Sequence, residues 1–454
     1  MKYAVYKEYK ISPMAWLDQL PTHWSAASLR WVSKRYAGGT PDKDNEAYWE
    51  DGEIPWINSG AVNDGYITQP SELITREGFA NSSAKWISKG ALVMALAGQG
   101  KTKGMVAQLG IPTTCNQSMA ALIPNYRFEP RYLYYWLTAN YQNIRNLAGG
   151  EARDGLNLEM LGSIPCPVPP VDEQKTIARF LDAKTAQIDA LVAQKRQLID
   201  KLKEKRSALI ARTVTRGLPP EAAKAAGLEP HPEMKNSGVD WLGEVPERWK
   251  VLPLRRLIKF VKTGNTPSGA EDHHFEENGF NWYSPSDFSD DIYLGLANRA
   301  LSAEGKTEVR IFPEKTVMLV GIGATIGKVG IALGECSCNQ QINAIGCNSK
   351  LDPVFATYYL KILRDFIVKC GKFTTLPIIN QDETKNLVFT VPPLSEQSAI
   401  AIYLDRETIE IDRLMVQVDE AISRLTEYRQ ALITSAVTGK IDVRAVASLE
   451  TEMA

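Results

Sequence analysis

Residues 95–104, with the sequence ALAGQGKTKG, contain the second half of a phosphate-binding loop. Gly100, Lys101 and Thr102 supply the G-K-[ST] end of the pattern G-x-x-x-x-G-K-[ST], but Ala95 stands where its first glycine belongs. The pattern also requires a helix after the loop, so that helix N–H groups face the phosphates. Gly and Pro interrupt residues 104–114, which disfavours that helix. Nucleotide chemistry is therefore not expected at this segment.

Cysteine, histidine and carboxylate residues show no spacing typical of a metal site or an activated nucleophile. The six cysteines include no C-x-x-C pair, which is typical of a reducing compartment. His273 and His274 lie beside acidic residues; in an extended segment their side chains would point apart, which favours a solvated acidic loop over a metal site. Adenine methylation would need a polar–Pro–Pro–aromatic segment, and both Pro-Pro pairs are flanked by aliphatic residues. We predict no catalytic and no metal-ligating residues, and the residue types favour recognition over catalysis.

The chain contains one unit of about 220 residues twice. Residues 168–191 (VPPVDEQKTIARFLDAKTAQIDAL) align with residues 391–414 (VPPLSEQSAIAIYLDRETIEIDRL) at an offset of 223. WLDQLPTHW (16–24) likewise aligns with WLGEVPERW (241–249). Two copies are too few for a solenoid and indicate an internal duplication.

The twin of the opening segment is VGIGATIGKVG (320–330), in which Ala324 replaces Lys101. Both copies keep the pattern G-x-T-x-G. One interpretation is a glycine turn after a strand. The other is an approach of the backbone to nucleic-acid phosphate, with nearby lysines adding charge.

Each copy begins with about 160 residues of short β-type runs, such as GALVMAL and KTVMLVGI, separated by Gly and Pro. A Pro-Pro pair follows, and then residues 173–216 or 394–438 contain neither Pro nor Gly, which predicts two helices of roughly 65 Å. Apolar residues at three- and four-residue steps predict a coiled-coil seam in each helix. The first helix is net basic and the second net acidic, so the simplest prediction is that they pair. The seam positions are Leu181, Ile188, Leu191, Leu198, Leu202 and Leu209, and then Leu404, Ile411, Leu414, Val418, Ile422, Leu425 and Leu432.

These elements predict an α/β (α+β) fold in which two globular domains are joined by two long antiparallel coiled-coil helices, with internal duplication and pseudo-two-fold symmetry. The sequence has no signal-peptide core and no apolar run of the ~20 residues that span a bilayer, so we expect a cytoplasmic protein. Its net charge of −1 indicates no partner, although a basic face can be hidden in a neutral total. The predicted segments are a first globular domain (1–171), a central helix (172–217), an extended linker (218–238), a second globular domain (239–393), a distal helix (394–440) and a C-terminal tail (441–454).

Four segments together closely resemble the specificity subunit of type I restriction–modification systems, over essentially the whole chain. They are WLGEVPERW with its twin, GATIGKVGIA, the paired VPPxxEQ helix starts and LITSAVTGKID. The first copy departs from the pattern at Asp18 and Gln19, where Gly-Glu is usual. The resemblance implies two target recognition domains, each recognising one half of a gapped, asymmetric target in double-stranded DNA. It implies that the helices set the spacing and bind two methyltransferase subunits.

The same resemblance implies that this chain itself binds no cofactor. The methyltransferase subunits would use S-adenosylmethionine to methylate adenine N6. Two restriction subunits with motor and nuclease activity would use ATP and Mg²⁺. A membrane partner is not expected.

Recognition domains of this family differ from one another, so we choose candidate DNA contacts by residue type and by position near the repeated turns. Buried amides that cap strand ends are the alternative interpretation. Trp56 and Trp282, which precede two of the candidate groups, are predicted to be core residues. The candidates are Asn58, Ser59, Gln99, Lys101, Thr102, Lys103, Asn116 and Gln117 in the first copy, and Ser284, Ser286, Thr325, Lys328, Asn339, Gln340, Gln341 and Asn343 in the second.

Glu173, Gln174, Glu396 and Gln397 at the two helix starts are candidates for contact with partner subunits, although acids in a first helical turn also favour the helix dipole. Trp24 and Trp249 are expected to pack at the helix bases. The leading hypothesis is a non-catalytic DNA-specificity subunit. A coiled-coil scaffold with protein-binding end domains would share the architecture, and salt-dependent DNA binding distinguishes the two.

Overall fold

The computed structural model describes residues 3–98, 101–148, 155–230, 233–268, 271–370 and 378–445. The chain divides into two compact units, which we call unit 1 (Met1–Lys195 with Glu420–Ala454) and unit 2 (Arg196–Asp419). The division falls inside both long helices. Each unit therefore combines one globular part with a portion of each helix, a grouping that the predicted linear order of segments did not contain.

Unit 1 is built from short strands and short helices that precede the first long helix. Its strands are β1 (Tyr9–Ile11), β2 (Gln19–Pro21), β3 (Ser25–Ser28), β4 (Ser33–Ala37), β5 (Ile54–Ile57), β6 (Tyr66–Ile67), β7 (Glu72–Ile74), β8 (Leu92–Ala95), β9 (Val106–Leu109), β10 (Thr114–Cys115), β11 (Met119–Pro124) and β12 (Pro165–Val168). Its helices are α1 (Leu29–Val32), α2 (Arg76–Ala80), α3 (Pro130–Ala139), α4 (Tyr141–Asn146), α5 (Leu158–Ser163) and the first part of α6 (Val171–Arg216).

Unit 2 repeats this order. After α7 (Pro220–Ala225), its strands are β13 (Met234–Asn236), β14 (Glu244–Pro246), β15 (Lys250–Pro253), β16 (Ile258–Thr263), β17 (Phe275–Tyr283), β18 (Tyr293–Leu294), β19 (Ala300–Leu301), β20 (Val317–Val320), β21 (Val329–Ala332), β22 (Ser337–Cys338), β23 (Ile342–Cys347) and β24 (Val388–Val391). Its helices are α8 (Ala303–Thr307), α9 (Pro353–Ile362), α10 (Arg364–Cys370), α11 (Gln381–Asn386) and the first part of α12 (Leu394–Val437).

The two units have the same sheet topology, which confirms the predicted duplication and mixed α/β class. A five-stranded sheet has the order β4-β11-β8-β9-β6 in unit 1 and β16-β23-β20-β21-β18 in unit 2. A three-stranded sheet places β5 between β10 and β7, and correspondingly β17 between β22 and β19. In each unit the central strand of this small sheet is parallel to the strand that comes after the repeated turn in the chain. β5 is parallel to β10, and β17 is parallel to β22.

Period-two alternation on the central strands separates each globular part into two hydrophobic layers. On β8, Leu92 and Met94 belong to the cluster that includes α3 and α6, whereas Val93 and Ala95 belong to a second cluster. All four are fully buried, so each large apolar side chain contributes roughly 1.5–3 kcal/mol of burial free energy. The pattern recurs on β20, where Val317 and Leu319 share one cluster and Met318 and Val320 the other.

The long helices run antiparallel within each unit. In unit 1, Asp189 on α6 pairs with Arg429 on α12, and the start of α6 approaches the end of α12 because Tyr6 bonds Glu173 while Tyr9 bonds the carbonyl of Gly439. In unit 2, Arg206 on α6 pairs with Asp412 on α12. The prediction that the two helices pair is therefore confirmed within each unit, and the arginine of the ion pair lies on α6 in unit 2 and on α12 in unit 1.

The predicted seam is only partly buried. Leu181 and Leu404 are fully buried, but Leu191, Leu198 and Leu414 are 44–48% exposed. The partner helix and the globular part cover one side of each helix. The apolar stripe formed by the three- and four-residue steps is wider than this covered side. The coiled-coil prediction therefore holds for the stripe nearest the globular parts and is wrong for these three leucines.

The segment after α6 is not a wholly extended linker, which corrects that prediction. α7 begins with Pro220 in its first turn. Proline suits this position because the N–H group that it lacks would have no partner in the helix, and because its φ is already helical. Leu218 and Ala223 are buried in the core of unit 2. In unit 1, residues near the C-terminus also pack against the globular part. Asp442 forms an isolated β-bridge with Ala4, and Val443 is buried in the core of unit 1. None of the helices in the described part of the chain is long and apolar enough to cross a membrane.

Candidate functional site

The small parallel strand pair of each unit brings two groups of predicted site residues together. Because β5 and β10 are parallel, Asn58 and Asn116 follow them at the same edge, and the Asn116 N–H donates to the Ile57 carbonyl (3.0 Å). In unit 2 the Asn339 N–H donates to the Tyr283 carbonyl (3.0 Å) in the same way. Ser284 therefore lies beside Asn339 as Asn58 lies beside Asn116.

A third segment at this edge was missed by sequence reasoning. The Thr40 hydroxyl donates a hydrogen bond to the side-chain oxygen of Gln117, and the Thr266 hydroxyl donates one to that of Gln340 (2.9 Å). Both threonines belong to a repeated G-x-T-P motif, at residues 38–41 and 264–267. That repeat, found in both copies at a nearly constant offset, is the signal that could have identified them.

The glycine that opens this motif is required by close packing. A Cβ atom on Gly38 would lie 2.0 Å from the Cys115 carbonyl oxygen, and one on Gly264 would lie 1.8 Å from the Cys338 carbonyl oxygen. Two buried tryptophans complete the support: the Trp56 indole N–H donates to the Gly39 carbonyl (3.0 Å) and the Trp282 N–H to the Asn265 carbonyl (3.0 Å). Their burial confirms the prediction that these tryptophans are core residues.

We call the resulting set of polar residues the loop cluster of each unit. It consists of Thr40, Asn58, Ser59, Asn116 and Gln117 in unit 1, and of Thr266, Ser284, Ser286, Gln340 and Gln341 in unit 2.

The described part of the G-x-T-x-G segment, residues 101–104 in unit 1 and 323–327 in unit 2, is a turn beside the loop cluster. Gly104 and Gly327 have φ values of +84° and +81°, and their N–H groups donate to the carbonyls of Ala95 and Val320 (both 2.9 Å). The next element is a strand, β9 or β21, rather than the helix that a nucleotide-phosphate loop requires. The backbone of Leu96 bonds Ser118 (2.8 Å), which joins this turn to the loop cluster in unit 1. The predicted site residue Gln99 lies outside the described residues.

Burial removes several predicted DNA contacts. Lys103 is 3% exposed and Asn343 is 2% exposed, and the Asn343 amide donates to the Ile379 carbonyl and the Thr384 hydroxyl (both 3.0 Å). Asn339 is also buried, and its side chain holds Gln341 through two hydrogen bonds. For Asn343 and Asn339 the alternative of buried structural amides is the correct one.

The remaining candidates around the turn are accessible to different degrees. Lys101 is exposed, while Thr102 and Thr325 are half-buried. Lys328 is half-buried and donates to the Phe288 carbonyl (2.7 Å). In the loop clusters, Gln117, Ser286 and Gln340 are accessible, so their polar groups can reach a ligand.

Asn116 and Asn339, the asparagines that follow β10 and β22, differ in how their side-chain oxygens are satisfied. Asn116 Oδ1 is buried without a hydrogen-bond partner in the described structure. The equivalent oxygen of Asn339 accepts from the Gln341 N–H (3.0 Å). A buried unpaired amide oxygen costs about 1–3 kcal/mol, so the unit 1 site gains more from a donor supplied by a ligand or water.

The cysteines next to these loops do not provide a nucleophile. Burial raises the pKa of the Cys115 thiol to about 12 and that of Cys336 to about 12. The Cys338 thiol is buried as well, and burial is the main cause of its raised pKa. At neutral pH these thiols are protonated, whereas nucleophilic attack requires the thiolate.

The four residues predicted to bind partner subunits make contacts inside the chain. Gln174 accepts from the Glu129 N–H (2.9 Å) and donates to the carbonyls of Arg127 and Pro169 (both 2.9 Å). Gln397 makes the same three bonds in unit 2, to Asp352 N–H (2.8 Å) and the carbonyls of Lys350 (3.0 Å) and Pro392 (2.9 Å).

Glu173 and Glu396 are likewise buried, at 6% exposure each. Glu173 accepts from the Tyr6 hydroxyl (2.6 Å) and the Trp24 indole (3.2 Å), and Glu396 accepts from the Trp249 indole (3.2 Å). All four side chains are therefore occupied by contacts within their own unit, because its globular part covers the first turn of the helix, and contact of this region with partner subunits stays a prediction. The same bonds confirm that Trp24 and Trp249 pack at the helix bases.

His273 and His274 do not point apart as predicted. They lie in a short 3-10 turn, which brings their ring centroids to 4.0 Å. His274 is buried near Glu308 (3.6 Å), so the acidic loop is only partly solvated. Among the residues that the structure describes, no group of three His, Cys, Asp or Glu side chains is arranged to hold a metal ion.

The sequence matches the family described as type I restriction modification DNA specificity domain twice, over residues 22–201 and 246–422. The StySPI specificity subunit of Salmonella potsdam is 22% identical over 442 residues, covering 93% of this chain and 90% of that protein. The EcoR124I/EcoR124II specificity subunit of Escherichia coli is 30% identical over 155 residues, which span 33% of this chain and 38% of that protein.

Solved structures show the same fold at low sequence identity. The HsdS subunit from Thermoanaerobacter tengcongensis has a TM-score of 0.53 at 18% identity and covers 93% of this chain and 98% of its own. A chain solved in work on complex assembly and conformational transition of the type I R-M system has a TM-score of 0.72 at 18% identity, with 93% and 99% coverage. Since the two family matches together span well over half of the sequence, the chain belongs to the type I restriction–modification DNA specificity family.

Proposed function

We propose that this chain is the DNA-specificity subunit of a type I restriction–modification enzyme and that each unit recognises one half of a bipartite target. One observation carries the proposal. The loop cluster recurs on the same strand framework in both units, while its polar side chains differ: Asn58 and Ser59 of unit 1 stand where unit 2 has Ser284 and Pro285. A shared framework with different polar edges suits two half-sites of different sequence.

The residue types fit direct recognition of base edges. Asn and Gln amides can form paired hydrogen bonds with adenine, and Ser and Thr hydroxyls can bond either kind of base edge. Gln117 and Gln340 are accessible and each is oriented by a threonine of the G-x-T-P motif. Lys101, exposed beside the unit 1 cluster, suits a phosphate contact that positions the domain without specifying sequence.

The chemistry of methylation and cleavage belongs, in this proposal, to partner subunits. Two methyltransferase subunits would use S-adenosylmethionine to methylate adenine N6, and two restriction subunits would use ATP and Mg²⁺. The long helices would set the distance between half-sites. An exposed stripe on α12, formed by Ile402, Ile409 and Val416 at seven-residue steps, supports partner docking, because exposed apolar residues at heptad spacing suit a second helix.

The test is modified-base sequencing of DNA from cells that express this chain together with a methyltransferase subunit of the same restriction–modification system. We expect N6-methyladenine at one gapped, two-part motif, and none when either protein is expressed alone. Substituting Asn58→Ala with Gln117→Ala should relax one half of the motif, and Ser286→Ala with Gln340→Ala should relax the other half.

The matched control is Asn63→Ala with Gln69→Ala, two exposed polar residues of unit 1 outside the loop cluster, which should leave the motif intact. If the two proteins associate and no new methylation appears, the DNA-recognition proposal fails. The scaffold alternative would then be favoured, and the absence of salt-dependent DNA binding would support it.

A further inference from the structure

Unit 2 contains a cationic cleft of about 300 Å³ between α6, the loop at 288–290, the end of the glycine turn and the junction of α9 with α10. Four basic side chains line it against two carboxylates, Asp290 and Asp365. The basic residues are Arg206, Lys328, Lys361 and Arg364.

Unit 1 contains a cleft of about 370 Å³ at the equivalent place, next to the same glycine turn and the junction of α3 with α4. The repeat offset of 223 assigns three of these basic residues a counterpart in its wall. Lys328 corresponds to Met105, Lys361 to Thr138 and Arg364 to Tyr141, and all three counterparts line the unit 1 cleft. The two clefts therefore share position, but the unit 2 wall carries four basic side chains and two carboxylates, whereas the unit 1 wall carries one basic side chain, Lys101.

The basic groups of unit 2 are held in place by the loop at 288–290. Lys328 donates to the Phe288 carbonyl (2.7 Å) and Lys361 donates to the Asp290 carbonyl. An ammonium group has three donors, so each lysine uses one donor to fix its position and keeps others for a ligand. Arg206 is fixed by its two bonds to Asp412 (3.0 and 3.2 Å).

The surroundings favour an added anion. Burial and the nearby Arg206 charge lower the pKa of the Lys361 ammonium to about 8, against the opposing effects of Asp290, Asp291 and Asp412. A partly desolvated cation beside other cations is stabilised when a negative group enters. Lys328, Lys361 and Arg364 line the same cleft, and charge-assisted bonds from such groups to an oxyanion are about twice as strong as neutral ones.

We propose that this cleft of unit 2 binds a phosphodiester group of the DNA backbone, through Lys328, Lys361 and Arg364. The inference rests on the proposed DNA-recognition function and extends it. Unit 2 would hold a backbone phosphate with three basic side chains at a place where the unit 1 wall offers only Lys101, so the two half-sites would differ in electrostatic contribution as well as in sequence.

The experiment replaces the basic residues by their own repeat counterparts, in the full chain bound to its methyltransferase subunits. The variants are Lys361→Thr with Arg364→Tyr, and Lys328→Met alone. Fluorescence anisotropy measures affinity from 50 to 300 mM salt for a duplex carrying the methylated motif and for an unrelated duplex. We expect the double variant to bind both duplexes roughly tenfold more weakly, a loss of about 1.4 kcal/mol in binding free energy. The slope of log K against log salt should fall by about 0.9 for each phosphate that the variant no longer neutralises.

Thr138→Val in the unit 1 cleft and Asp365→Asn beside Arg364 are the controls for folding. Neither should weaken DNA binding, and the second should strengthen it. An unchanged affinity and slope in the double variant would overturn the inference. So would weaker binding confined to the motif duplex, because that pattern indicates base recognition.

Free phosphate is a second source of the same chemistry. Titration of the DNA-free complex with inorganic phosphate, followed by calorimetry, tests it. Binding that the double variant abolishes while DNA affinity stays unchanged would assign the cleft to free phosphate and overturn the backbone contact. If the wild-type complex shows no salt-dependent DNA binding at all, the proposed function itself fails, which is a different outcome from a variant-specific weakening.

Discussion

Arg206 on α6 and Asp412 on α12 form a two-point ion pair, with Nε and Nη2 donating to the two carboxylate oxygens (3.0 and 3.2 Å). Their counterparts at an offset of 223, Arg429 and Asp189, form the same pair in unit 1 (2.8 and 3.1 Å), with arginine and aspartate on the opposite helices. The duplication thus places one bidentate link between the helices in each unit.

The two links should differ in strength because they differ in exposure. The Arg206 side chain is 12% exposed, whereas that of Arg429 is 32% exposed. Alanine double-mutant cycles followed by denaturant unfolding should give a coupling free energy of about 1.5–3 kcal/mol for Arg206 with Asp412. For Arg429 with Asp189 we expect about 0.2–1 kcal/mol, weakening with added salt. Equal coupling in both cycles would contradict this ranking.

Gln174 and Gln397 should not tolerate replacement by glutamate. Each amide N–H₂ group donates to two backbone carbonyls, which a carboxylate cannot do. Gln174→Glu and Gln397→Glu should each cost roughly 2–5 kcal/mol of unfolding free energy at pH 7. Part of that free energy should be recovered near pH 4, since a protonated carboxyl can donate one hydrogen bond. Gln194→Glu and Gln417→Glu, at more exposed positions of the same helices, are matched controls, and an equal effect there would exclude the buried network as the cause.

Gly38→Ala and Gly264→Ala should destabilise their units and disturb the loop clusters. The added methyl group would collide with the carbonyl oxygen of Cys115 or Cys338. Forced backbone shifts of this kind cost roughly 1–3 kcal/mol. Gly295→Ala and Gly334→Ala are the controls, because a Cβ atom there meets no atom within 4 Å. Thermal unfolding should separate the two pairs, and similar melting temperatures for all four variants would refute the packing argument.

Lys361 should make stability depend on pH in a defined window. Burial and Arg206 lower its pKa to about 8, against opposing effects of Asp290, Asp291 and Asp412. The unfolded lysine titrates near 10.4, so between about pH 8 and 10.4 the unfolded chain binds more protons and the contribution of Lys361 to stability rises with pH. Buried thiols act in the opposite direction, which makes a variant comparison necessary.

The comparison is wild type against Lys361→Met, by chemical unfolding at pH 7.5 and at pH 10. Relative to the variant, the free energy of unfolding of the wild type should rise by up to about 1.4 kcal/mol per pH unit within the window. Lys250→Met, at an exposed position of β15, should show no such change. A gap that stays constant with pH would rule out a depressed Lys361 titration.

Local signals in the sequence predicted most of the fold. The offset of 223 predicted two copies, the Pro- and Gly-free stretches predicted α6 and α12 to within a few residues, and the short β-type runs predicted β8 and β20. Long-range contacts were not accessible in this way. Glu173 looks like a first-turn acid, and only the fold shows that Tyr6 and Trp24 enclose it.

The candidate site was predicted in outline. Residue type and position identified Asn58, Gln117 and Gln340, which the parallel strand pairs bring to one edge in each unit. Type alone could not separate Lys103 or Asn343 from them, because burial depends on which elements cover a turn. Thr40 and Thr266 were missed because the repeated G-x-T-P motif contains no residue with strong chemistry of its own.

The composition of the units has a consequence for synthesis on the ribosome. Unit 2 is one continuous stretch, Arg196–Asp419, but the core of unit 1 includes Leu432, Ile433 and Val443 near the end of the chain. The domain that emerges first is therefore completed last. At a translation rate of about 5–20 residues per second, the nascent first domain waits roughly 10–50 s for its closing residues. During that interval its uncovered apolar surface depends on chaperones or on the early arrival of a partner, and a stop codon after residue 419 would release a chain with unit 2 finished and unit 1 open.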